Sequence, residues 1–103
     1  MPHGREDKQP FEEKDYAFDF SPQLLADETI TLVSCEATNL TTGENSSDAV
    51  IGDAPAPVVA GQTVVFWLKD GEDGERHNIS IKVETSKGQK LEGDLDLFII
   101  EVK

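Results

Sequence analysis

His77-Asn78-Ile79-Ser80-Ile81-Lys82-Val83-Glu84-Thr85 decides the fold class. Ile79, Ile81 and Val83 share one parity, while Asn78, Ser80, Lys82 and Glu84 share the other. Side chains alternate across a strand, so this pattern predicts a half-buried β-strand over 77–85. Ser86-Lys87-Gly88-Gln89 follows as a hairpin turn, with a glycine free to take positive φ. Lys90 to Val102 reads as the return strand. Upstream, Gln62 to Leu68 (QTVVFWL) is β-branched and aromatic, and the loop from Lys69 to Gly74 ends it. A further β-branched stretch covers 29–37. There Val33, Cys35 and Ala37 share one parity and Ile30 the other, which predicts a bulge or a twist between its halves. Tyr16, Phe18 and Phe20 alternate with Ala17 and Asp19 to give a strand over 16–20, broken by Ser21-Pro22.

The connecting stretch from Asn39 to Gly61 is rich in turn residues. Ala49-Val50-Ile51 and Val58-Val59 read as short strands within it. Pro55-Ala56-Pro57 belongs to an edge or a loop, because proline cannot donate to a ladder. The one faint helical patch is Gln23 to Ala26, about one turn long. Short strands spaced about 8–12 residues apart, with turn signals between them, indicate an all-β sandwich. The first fifteen residues differ in texture. They are polar, carry no periodicity, and have Phe11 as their one large apolar residue. They read as a flexible N-terminal arm over 1–15 ahead of a sandwich domain over 16–103. Phe11 is the residue expected to anchor that arm on a neighbouring subunit.

The chain has 103 residues, which is one domain's worth with little room for a deep substrate cleft. Acidic residues number 21 against 9 basic ones, so the net charge is −12. Such a field repels phosphate, which argues against nucleic acid and anionic membranes as partners. No apolar run approaches the roughly 20 residues of a membrane helix. With no opening signal pattern, the expectation is folding in a reducing cytoplasm, or prior removal of an export signal. Cys35 is the single cysteine, so neither an internal disulfide nor a cysteine-based metal cluster is expected. It sits mid-strand beside Glu36 and reads as a small core residue rather than a nucleophile. His3 and His77 lack partners at metal-ligand spacing, and His77 reads as a neutral surface or turn histidine. The loop from Asp70 to Glu75 lacks the spacing of a calcium loop and reads as a solvated acidic turn. No Gly-x-Ser-x-Gly elbow or phosphate loop occurs. No catalytic residue, cofactor or metal is therefore expected. In Gln62 to Leu68, either Val64-Phe66-Leu68 or Thr63-Val65-Trp67 faces the core, and Trp67 is either core packing or a binding platform.

Several segments together resemble a family of phage virion proteins, the fibre-tail adaptor-like proteins. They are Asp15-Tyr16-Ala17-Phe18-Asp19-Phe20, Leu25-Ala26-Asp27-Glu28-Thr29-Ile30, Trp67-Leu68-Lys69-Asp70-Gly71-Glu72-Asp73-Gly74, Glu84-Thr85-Ser86-Lys87-Gly88 and Ile100-Glu101-Val102. The resemblance spans Asp15 to Val102. Phe20 stands where members usually carry tryptophan, as does Cys35. The resemblance implies an immunoglobulin-like β-sandwich and a non-enzymatic adaptor at the tail–fibre or head–tail junction. It implies no cofactor, virion partners among tail, connector or fibre subunits, and copies of the chain in a ring. Capsid decoration and a cell-surface adhesion module are the competing roles for such a domain, since fold alone does not give function.

In the last strand both parities are apolar: Leu95, Leu97 and Ile99 on one, Phe98, Ile100 and Val102 on the other. The resemblance places Phe98, Ile100 and Val102 inside. That leaves Leu95, Leu97 and Ile99 as an outward stripe suited to a subunit interface, unless the N-terminal segment covers it or a bulge brings both faces into the core.

Overall fold

A computed structural model describes residues 3–101. Seven strands form two sheets. In the larger sheet, β1 (His3–Lys8), β7 (Lys90–Ile99), β6 (Arg76–Thr85) and β3 (Ile30–Asn39) lie side by side in that order. The smaller sheet runs β2 (Lys14–Asp19), β5 (Thr63–Leu68), β4 (Val58–Ala60). All neighbours pair antiparallel except β1 and β7, which run parallel. The fold is an all-β sandwich. Its only helical pieces among the described residues are a 3-10 turn at Ser21–Gln23 and one α-turn, α1, at Ser47–Val50.

The alternation in β6 works as its sequence dictates. Ile79, Ile81 and Val83 are buried, and they meet Phe18, Phe20, Val64, Phe66 and Leu68 from the opposite sheet. Each fully buried aliphatic side chain contributes about 1.5–3 kcal/mol. In β3 the register slips between Leu32 and Ser34. This bulge lets Ile30 and Ala37 both be buried despite their opposite parities, and it turns Val33 out to 57% exposure.

Three expectations need correction. The first concerns the arm over 1–15. His3–Lys8 is strand β1, and Lys14 and Asp15 open β2; Met1 and Pro2 lie outside the described residues. β1 carries no apolar alternation because it is an edge strand held by its ladder and by ion pairs. Lys14 Nζ lies 2.9 Å from Glu6 Oε1, joining β2 to β1, and the Ile100 N–H bonds the Lys8 carbonyl at 2.8 Å. The second concerns the last strand. Leu95, Leu97 and Ile99 are fully buried, Phe98 is on the wet face, and Ile100 is 42% exposed; Val102 lies outside the described residues. Phe98 tolerates that face because the Arg5 guanidinium sits 4.0 Å from its ring centroid and that of Arg76 sits 5.3 Å away. No bulge is needed and no interface stripe is left on that parity. The third concerns Ala49-Val50-Ile51. Ala49 and Val50 belong to α1, and Ile51 makes a lone bridge to Leu68 rather than a strand.

Candidate functional site

The outer face of the three-stranded sheet is the candidate site, and its register follows from β2. With Phe18 and Phe20 turned inward, Asp15, Ala17 and Asp19 must point out. Ala17 stands opposite Val65, and Val65 stands opposite Val58. One apolar row thus crosses all three strands. Trp67 lies one outward position along β5, opposite Asp15, and is 37% exposed. Its backbone is held by the segment that pairs beside it. The Gly52 N–H bonds the Trp67 carbonyl at 2.8 Å, and a Cβ at Gly52 would come within 3.1 Å of the Trp67 Cβ. Val58 is 48% exposed. The charges around this face are acidic: Asp15 and Asp19 on β2, and Asp53 beyond Gly52, all exposed. The Ser21 backbone N–H and hydroxyl hold the Asp19 carboxyl below its usual range, so Asp19 stays ionised.

Phe11 protrudes from the β1–β2 connection and is 96% exposed. Its turn is held by an unusual group, the buried Lys8 ammonium, which donates to the carbonyls of Gln9 (2.8 Å), Pro10 (3.4 Å) and Glu12 (2.8 Å). The Glu12 N–H closes the turn onto the Gln9 carbonyl at 3.1 Å, and the Gln9 N–H returns to Glu12 Oε1 at 2.7 Å. Burial lowers the Lys8 pKa, and the nearby carboxylates of Asp70 and Glu12 oppose that shift. The backbone groups of Gln9, Pro10 and Glu12 are thus tied, and the phenyl ring is left in water.

A buried polar chain lies at the same end of the sandwich. Ser46 Oγ is 2.8 Å from His77 Nδ1, and His77 Nε2 is 3.2 Å from Glu75 Oε1. Asn39 Nδ2 donates to Glu75 Oε2 at 3.0 Å. His77 is therefore a core residue, 1% exposed, and not the surface or turn histidine its sequence context suggested. The connectivity matches a serine–histidine–acid triad, but the surroundings do not. Ser46 is buried, its own N–H is bonded to the Ala37 carbonyl, and the Ser47 N–H is bonded to Asn45 Oδ1. No donor pair is left there to stabilise an oxyanion. The chain instead pins the 40–47 loop to β6. Cys35 is half-buried, and burial pushes its thiol up to about 12, far from a nucleophile's range. Among the described residues, no group of three or more His, Cys, Asp or Glu side chains is placed to hold a metal, and no helix is long and apolar enough to cross a membrane.

The chain makes a pH prediction. The Glu72 backbone N–H, helped by His77 and Asn39 and opposed by burial, holds the Glu75 carboxyl below its ordinary 4.5. Its ionised form is thus favoured in the folded state. The stabilisation is complete above 4.5 and is lost as pH falls through the lower folded value. Discounted for partial exposure, it is worth about 0.5–1 kcal/mol. Glu75→Gln should lower Tm by about 3–6 °C at neutral pH. The gap to the wild type should close as the buffer is taken well below pH 4.5, as thermal melts by circular dichroism will show.

Of the five residues expected at an interface, Phe11 and Trp67 are exposed, at one end of the sandwich, while Leu95, Leu97 and Ile99 are in the core. The row of Ala17, Val65 and Val58 was not foreseen. Its signal was the out-of-phase Asp15-Ala17-Asp19 of β2, which decides between the two parities of β5 once the strands are paired. The sequence profile of the family described as "Podophage GP4 fiber-tail adaptor protein gp77" matches residues 8–97. The chain belongs to that family. No curated protein matches it. Membership in the fiber-tail adaptor family makes this a structural component of a phage tail. A sandwich with a water-facing apolar row suits such an adaptor, whose work is to hold other tail and fibre proteins.

Proposed function

We propose that this adaptor grips its virion partner with the outer face of the three-stranded sheet, through Trp67, Val65, Val58 and Ala17. The observation that carries the reading is the apolar row itself, which crosses three strands and remains open to water. Trp67, beside that row on β5, is the kind of aromatic anchor that dominates interface energetics. The acidic surround calls for a partner surface that is apolar with a basic rim. The role is non-enzymatic and needs no cofactor, because binding surface rather than a reactive constellation is what the chain presents. Several copies stand side by side about the tail axis, where the tail meets the fibres or the head–tail connector. The chain is made in the host cytoplasm and ends in the virion. Its net charge of −12 keeps it off nucleic acid and anionic membranes.

The test is complementation of a phage lacking this chain with the double variant Trp67→Gln, Val58→Asp. Both side chains are partly exposed, so the isolated protein should melt within about 5 °C of the wild type. Purified particles should lack the variant chain and should fail to carry fibres. Incorporation at the wild-type level would refute the assignment of this face.

A further inference from the structure

The end of the sandwich at which β1 and β7 finish carries apolar side chains that the Trp67 face does not use. Leu40 and Ile100 each follow the last residue of a strand and carry its ladder one step further. The Leu40 N–H bonds the Arg76 carbonyl and the Ile100 N–H bonds the Lys8 carbonyl, both at 2.8 Å. Their neighbours Asn39 and Ile99 are buried, so Leu40 and Ile100 fall on the opposite parity, that of the wet side of the four-stranded sheet. Leu40 is 45% exposed. Both residues look away from Trp67, which stands on the outer face of the other sheet. Phe11 is beside them: Lys8 pairs with Ile99, and the turn beyond Lys8 carries Phe11. Between that turn and Ile100 is a hollow of about 330 Å³, walled by Asp7, Lys8, Gln9, Glu12, Lys14 and Ile100. Three of the seven large apolar side chains exposed among the described residues are thus gathered at one end.

Each of these three connections is fastened by a polar side chain. Behind Leu40, Asn39 Oδ1 accepts the Thr41 N–H at 2.8 Å and the Thr42 N–H at 3.3 Å. Beside Ile100, Asp73 Oδ1 accepts the Glu101 N–H at 2.9 Å. The Lys8 ammonium holds the turn of Phe11. Apolar groups on connections that are already ordered lose little further conformational freedom on docking.

Charge selects the occupant. Glu12, Glu13, Asp70, Glu72, Asp73 and Glu101 stand at this end against Lys69 and Arg76. Arg5 and Lys14 are already paired, with Asp7 and Glu6, and Lys8 is buried. A second copy of the chain offers no basic surface in answer. At its far end Lys82, Lys87 and Lys90 are offset by Asp27, Glu28, Glu84 and Glu92. What fits is a protein surface that is apolar at its centre, with lysine or arginine around it.

We propose that this end is a second docking surface, on which Phe11, Leu40 and Ile100 take a virion protein with an apolar, basic-rimmed surface. That protein is neither the one held at Trp67 nor another copy of this chain. The proposal rests on the adaptor reading and adds to it: one contact lies on the outer face of the three-stranded sheet and a different partner lies at the end.

Photo-crosslinking in assembled virions tests it, with a benzophenone side chain at position 11 and, in separate preparations, at positions 65 and 25. Position 11 keeps its phenyl ring and is exposed, so the chain should fold and assemble as the wild type does. Irradiation should join position 11 to a virion protein different from the one joined to position 65. Mass spectrometry should find the joined segment apolar, with net positive charge. Leu25, an exposed apolar residue at the opposite end, should give little or none of that product. No product from position 11 overturns the proposal, as does a product with the protein captured from position 65 or with another copy of this chain. A joined segment of neutral or negative charge overturns it too, and so does an equal yield from position 25. The two surfaces fail separately. A product from position 65 with none from position 11 leaves the sheet face standing, and a product from position 11 with none from position 65 supports this end and removes the sheet face.

Discussion

The double variant Leu97→Ser, Ile99→Ser will not fold. Both side chains are fully buried, and they project from the central strand β7 into the layer between the sheets. Truncating one buried leucine or isoleucine costs about 2–5 kcal/mol, and a serine hydroxyl without a partner adds about 1–3 kcal/mol. Two such losses equal or exceed the whole stability of a typical domain, about 5–15 kcal/mol. The measurement is far-ultraviolet circular dichroism with a thermal melt of the purified double variant, and the expected result is no cooperative transition. Had these residues formed an exposed stripe, the same variant would melt like the wild type. By contrast, Ile100→Ser, one position further on and exposed, should leave Tm almost unchanged.

Gly93→Ala is the second large effect, and it arises from too much material rather than too little. Gly93 faces inward on β7, and a methyl group there would stand inside the Phe18 ring. The glycine is needed for this close approach and not for its backbone angles, since its φ is not positive. Phe18 is 4% exposed and packs beside Phe20 at a ring-centroid distance of 5.1 Å, so the ring has little space to retreat. Overpacking of this kind costs about 1–3 kcal/mol, which lowers Tm by roughly 10 °C in a chain of this size. Adding Phe18→Leu to Gly93→Ala should recover part of the loss. If the alanine variant melts at the wild-type temperature, Phe18 does not close the sandwich over β7.

These two results separate what alternation can reveal from what it cannot. β6 was legible because its apolar residues recur at every second position, β3, β5 and the body of β7 because they are rich in β-branched, aromatic or other apolar residues between turn signals, and even the β3 bulge showed in the opposite parities of Ile30 and Ala37. The orientation of β7 was not legible. Both of its parities are apolar, and the choice depends on Arg5 and Arg76, far apart in sequence, meeting over Phe98. β1 was missed for a related reason. An edge strand stabilised by backbone pairing, one ion pair and a buried ammonium leaves no hydrophobic period to read. His77 looked like a surface residue because the partners that satisfy it, Ser46 and Glu75, give no sign in sequence that they point at it.

The candidate site was legible by halves. Phe11 and Trp67 stood out as isolated aromatic residues in polar or two-faced contexts, and both are exposed. The rest of the face was hidden because Val58, Val65 and Ala17 become neighbours only through the pairing of three strands from separate parts of the chain.

Site-specific photo-crosslinking in assembled particles tests the central claim most directly. A benzophenone side chain placed at Val65 lies in the middle of the apolar row, and the same group at Ser80 reports the wet face of the four-stranded sheet. The account predicts that irradiation of virions joins the Val65 position to a different tail or fibre protein, while Ser80 gives little or no product with it. Crosslinks to that protein from Ser80 and none from Val65 would contradict the account, because the adaptor would then hold its partner with the opposite face of the sandwich.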